Sequence, residues 1–72
     1  MKKENEPKLR RAVLSAIATV DHYETPTAVM HYCRGFCRDF SPRLPDVRAV
    51  LEHYMSLGVI KQDKPKTPYY VA

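Results

Sequence analysis

With 72 residues the chain has room for one domain and one small core. A hydrophobic share of 44% and a charged share of 28% are those of a folded domain and exclude a disordered polyelectrolyte. The formal net charge is +4, and no stretch approaches the roughly 20 apolar residues of a membrane span.

The opening "MKKENEPKLRR" is basic but runs into no apolar block, so it does not read as a secretory leader. Residues 1–5 are expected to form a flexible basic N-terminus and residues 6–72 a single domain. A first helix is predicted to start near Glu6-Pro7, since a first turn has no use for the N–H that proline lacks. Leu9, Val13, Ala16, Ile17 and Val20 then recur on one helical face. "DHYETPT" breaks that pattern. Thr25-Pro26 is an N-cap and first-turn pair for a second helix, whose stripe is Val29, Tyr32, Cys33, Phe36 and Phe40. The stripe continues through Gly35, which is therefore read as helix interior at a cost of about 1 kcal/mol.

"DFSPRLP" is a turn, and a third helix is expected from Pro45. A start at Pro42 would set Pro45 where an intrahelical N–H is needed and would force Leu44 into the helical region just before a proline. Val47, Val50, Leu51, Tyr54 and Leu57 make the clearest amphipathic stripe, and Gly58 ends it as a left-handed cap. "VIKQ" and "PYYV" are β-type runs joined by a turn at Asp63-Lys64-Pro65-Lys66. Such a hairpin is too short to stand alone, so Ile60 and Tyr70 are expected to pack against the helices, with Tyr69 outward. The fold class is therefore α+β: a three-helix core with a C-terminal two-stranded hairpin.

No nucleotide-binding glycine loop, zinc-protease pair or hydrolase elbow is present, and a core this small walls off no deep pocket. No enzymatic activity, cofactor, small-molecule substrate or metal is expected. Cys33 and Cys37, four residues apart on the second helix, read as buried small hydrophobes; a thiol or metal sensor built with His22, His31 or His53 is the competing reading. Two cysteines and no leader fit a cytoplasmic protein.

The segment "VRAVLEHYMSLGVIKQDKPKTPYYV", with its helix closing on Leu57-Gly58-Val59-Ile60 and running into a hairpin, resembles the recognition helix and wing of winged helix-turn-helix domains. The specific part of the likeness covers residues 47–71. In that family a short strand lies between the first two helices, where His22, Tyr23 and Glu24 would supply it here. The resemblance implies double-stranded DNA binding, with the third helix in the major groove and the wing on the backbone. Carried onto this sequence it places Arg48, Ala49, Glu52 and His53 on the exposed side of the third helix, Arg43 just before it, and Lys61, Lys64 and Lys66 on the wing.

Charge placement suits that partner. Residues 1–20 carry +3, residues 21–40 carry −1, residues 41–60 are neutral, and residues 61–72 carry +2. Lys2, Lys3, Lys8, Arg10 and Arg11 read either as a basic arm beside the groove or as a solubilising tail. The functional expectation is a small transcriptional regulator or accessory DNA-binding factor of phage or plasmid type, working as a homodimer or with a protein partner. The alternative is a winged-helix module that binds protein instead of DNA, motivated by a third helix in which Asp46 and Glu52 offset Arg43 and Arg48.

Overall fold

A computed structural model describes residues 2–19, 25–65 and 67–72. The expectations that involve Val20, His22, Tyr23, Glu24 and Lys66, including a strand between the first two helices, lie outside the described residues. Three helices, α1 (Glu6–Thr19), α2 (Pro26–Phe36) and α3 (Leu44–Ser56), are followed by strands β1 (Ile60–Lys61) and β2 (Tyr70–Val71). The strands pair antiparallel, Ile60 opposite Val71 and Lys61 opposite Tyr70. The protein is α+β: three helices and a two-stranded hairpin.

Ahead of α1, the stretch expected to fray makes one 3-10 turn at Lys3–Asn5 that buries nothing. Helix α1 then buries Leu9, Ala12, Val13, Ala16 and Ile17, the face its apolar spacing defines. Helix α2 starts as its sequence dictates. Pro26 occupies the first turn, and the Thr25 hydroxyl accepts the Ala28 N–H at 3.2 Å. Helix α1 packs on both α2 and α3, β1 lies against α3, and β2 lies against α1. The buried side chains of all three helices form one cluster with Ile60 and Tyr69.

The second helix is shorter than its stripe. It ends at Phe36, so Gly35 sits in the last turn and the helix does not continue to Phe40. Cys37 caps it with an extended backbone while its N–H still reaches the Cys33 carbonyl at 2.7 Å. Phe36 therefore points outward and is 51% exposed, whereas Cys37 is buried and Phe40 packs on the core from irregular chain. The link over residues 37–43 is pinned at three places. The Arg34 Nε–H donates to the Pro42 carbonyl at 3.1 Å, Pro42 itself is fully buried, and Asp39 forms an ion pair with Lys8 of α1.

Helix α3 begins at Leu44, one residue before the proline expected to open it. Arg43 is its N-cap, and the Asp46 carboxylate accepts the Arg43 N–H at 3.4 Å. An arginine side chain has no acceptor to return, so this is half of a capping box. The C-terminus is fully closed. Gly58 adopts φ 75°, its N–H donates to the Met55 carbonyl at 3.1 Å, and the Val59 N–H donates to the Tyr54 carbonyl at 2.9 Å. This is a Schellman motif, and its left-handed residue favours glycine.

The hairpin loop is also tighter than its length suggests. The Thr67 N–H donates to the Lys64 carbonyl at 3.1 Å, a closure one residue later than the Asp63–Lys66 turn signal implied. The Thr67 hydroxyl donates to the same carbonyl at 2.7 Å, and the Gln62 side-chain amide donates to the Thr67 carbonyl at 2.6 Å. The two tyrosines exchange their expected roles: Tyr69 is 6% exposed and Tyr70 is 39% exposed. Tyr70 faces Lys61 across the ladder, on the outer side, so Tyr69 shares the inner side with Ile60.

Substituting the two tyrosines separates these roles. Tyr69→Ala is expected to cost about 3 kcal/mol in urea unfolding, a large part of the stability of so small a domain. Tyr70→Ala, which loses an exposed ring and one surface hydrogen bond, is expected to cost less than about 1 kcal/mol.

Candidate nucleic-acid interface

Helix α3 turns one face to the core through Val47, Val50 and Leu51, and this fixes what faces solvent. Arg48, Ala49, Glu52 and His53 are all exposed, as is Arg43 at the N-cap. Arg48 and Glu52 lie one turn apart yet form no ion pair; among the described residues the single ion pair is Lys8–Asp39. Lys61 is exposed on β1 and Lys64 is exposed in the turn, whereas Lys66 lies outside the described residues. The 13 residues of α3 set Arg43 and the hairpin at opposite ends of a rod about 20 Å long.

Two grooves border this surface. One is a broad open trough of about 770 Å³ in which Lys2, Lys8 and Arg43 meet Glu4, Asp39 and Asp46. Its charges balance, and Lys8 is already engaged. The Lys8 hydrogen bond holds the Asp39 carboxyl below the usual carboxylate range, and the same bond raises the Lys8 ammonium. The second groove, about 250 Å³, runs between α1 and α3. Glu6 and Arg10 form one wall, and Asp46, Ala49 and His53 the other. That volume is smaller than a typical small-molecule pocket, so the groove offers an edge to a large partner rather than a chamber to a small one.

The sequence leaves Arg10 and Arg11 as part of either a basic arm beside the groove or a solubilising run, on a first helix expected from Glu6-Pro7. Because α1 starts at Glu6, both are helical, and Arg10 lies beside the exposed ridge of α3. The signal was available: Arg10 follows the buried Leu9 and falls beside the apolar stripe, not ahead of it.

The remaining aromatic and titratable groups serve the fold. The Tyr32 hydroxyl is 3.1 Å from Ser15 Oγ and its ring stacks on Phe36 at 6.2 Å. The Tyr70 hydroxyl donates to Asp63 at 3.0 Å, which raises its pKa and ties the outer strand to the loop. Burial also raises Tyr69. Cys33 and Cys37 are free and buried. Among the described residues no cluster of three or more metal-ligating side chains forms, and His22, named in the competing reading, lies outside them. No described helix is long and apolar enough to cross a membrane.

Burial, with the neighbouring Cys37 second, pushes the Cys33 thiol up to about 12, and burial also raises Cys37. A raised folded-state pKa favours the native state only while the unfolded chain keeps the same proton. Stability is therefore expected to fall as pH rises from 9, the ordinary thiol value, toward 12. Cys33 alone would contribute a slope of up to about 1.4 kcal/mol per pH unit. Urea unfolding at pH 7, 9 and 10.5 measures this decline, and Cys33→Ala should make it shallower, with the raised Cys37, Tyr69 and Tyr70 groups leaving a remainder. In the native state at pH 8, iodoacetamide should label neither cysteine until denaturant is added.

Compared with models of protein families, with curated proteins and with solved structures, the chain matches none of them.

Proposed function

We propose that the protein is a winged-helix domain that binds double-stranded DNA without catalysis, as a small regulator or accessory factor. The observation that supports this most is a set of exposed cations with no acidic partner: Arg48 on the outer face of α3, and Lys61 and Lys64 on the hairpin that follows it. Among the described residues none of these three side chains forms an ion pair. In this reading α3 enters the major groove, Arg48 reaches a guanine edge or a phosphate, and the hairpin lysines meet the backbone. Ala49 and His53 form a low ridge that lets the helix seat closely. One such helix reads only a few base pairs, so selective binding calls for a dimer or a partner protein.

A second reading keeps the same fold and changes the partner. Leu57 is 62% exposed, Met55 near it is also exposed, and α3 carries two acids, Asp46 and Glu52, against one base, Arg48, which suits a protein partner at that end of the helix.

Fluorescence anisotropy against a labelled duplex at several salt concentrations distinguishes the two. DNA binding requires affinity that falls steeply with salt, and Lys61→Ala and Lys64→Ala should each lower the slope of log K against log salt by about 0.9. Negligible affinity at low salt, or affinity indifferent to salt, would refute the first reading. A stoichiometric protein partner that survives nuclease treatment and is lost on Leu57→Asp would then support the second.

A further inference from the structure

We infer that Arg10 of α1 is a further phosphate-contacting residue, on the flank of α3 opposite Arg48, so that the DNA footprint spans the groove between α1 and α3. This rests on the DNA-binding reading and names a contact that reading does not contain.

The argument starts from helix geometry. Taking Ala49 and His53, one turn apart, as the crest of α3, Arg48 and Glu52 fall about 100° and 60° to one side of Ala49. Val50 and Asp46 fall on the other side, and there α3 meets Glu6 and Arg10 of α1 across the small groove. The crest is thus bracketed by an arginine on each side, one from its own helix and one from its neighbour.

A duplex presents the matching shape. The major groove is about 12 Å wide and is walled by two phosphate strands, so a helix lying in it meets anions on both flanks. Arg48 can serve one strand only. Helix α3 has no cation on its other flank, where it carries Asp46. Arg10 fills that position. It is exposed, forms no ion pair, and stands on a helix whose buried face holds it rigidly against the same core. Glu6, one turn before it on the same wall, opposes the same phosphates and limits the affinity.

The test is a set of anisotropy titrations of the full chain on one duplex, with thermal unfolding to confirm that each variant is folded. Arg10 is exposed, so Arg10→Ala should leave the melting curve unchanged. It should weaken binding by about fivefold near 0.1 M salt and lower the salt slope by about 0.9. Glu6→Gln should strengthen binding in the same experiment. Arg11→Ala is the control, since Arg11 does not border the groove. It should weaken binding clearly less than Arg10→Ala. If Arg48→Ala and Lys61→Ala weaken binding while Arg10→Ala and Glu6→Gln change nothing, the inference is overturned and DNA binding stands. Equal losses from Arg10→Ala and Arg11→Ala would overturn it as well, by showing a diffuse charge effect. If the unaltered protein does not bind the duplex at all, both fall together.

Discussion

Ile60 is fully buried, and through it the hairpin becomes part of the domain. The helices take the hairpin on one side, β1 against α3 and β2 against α1, and a two-stranded ribbon has no independent stability. Each completes the other. Helix α3 cannot end where it does unless Gly58 takes its left-handed turn. That turn delivers Val59 and Ile60 to that side within two residues. From there β2 returns across α1 with Tyr69 facing inward. The position of Lys61 and Lys64 follows from this closure, because an inward Ile60 forces the next residue outward.

Much of this is legible in the residues alone. The helical stripes of α1 and α3, the Thr25-Pro26 start and the Gly58 stop each rest on a local mechanism, and local mechanisms can be read from local sequence; the exception is Leu57, expected on the α3 stripe but past the helix end and exposed. Errors arise where one pattern fits two conformations. In α2 the spacing of Phe36 and Phe40 satisfies a helix, but the backbone has left the helix by Cys37, and Phe40 reaches the core by another route. In the last strand, adjacent tyrosines give no polar-apolar alternation, so the inward residue depends on a register that only the pairing with Ile60 and Lys61 decides. The candidate interface is half legible: the outer residues of α3 follow from its stripe, while the neighbourhood of Arg10 depends on how two helices pack.

Electrostatics divides the surface into regions with different work. The trough near the N-terminus is neutralised internally by Lys8 and Asp39, and its acids balance its bases. The pair joins α1 to the α2–α3 link and adds little to stability, since both members are exposed. On the outer face of α3 and on the hairpin, Arg48, Lys61 and Lys64 form no ion pair among the described residues, although Glu52 and Asp63 share that surface.

The contact between β2 and α1 joins segments about fifty residues apart in the sequence. Closing so long a loop is slow and entropically costly compared with docking neighbouring helices. The helical trio would then assemble first and the ribbon would settle last, on a nearly finished body. The same ordering runs in reverse during native-state fluctuations. The amides of Val59 and Ala72, bonded to carbonyls at the joint, would exchange with solvent on different timescales if the ribbon lifts alone, because Val59 is held by the helix cap and Ala72 only by the ribbon.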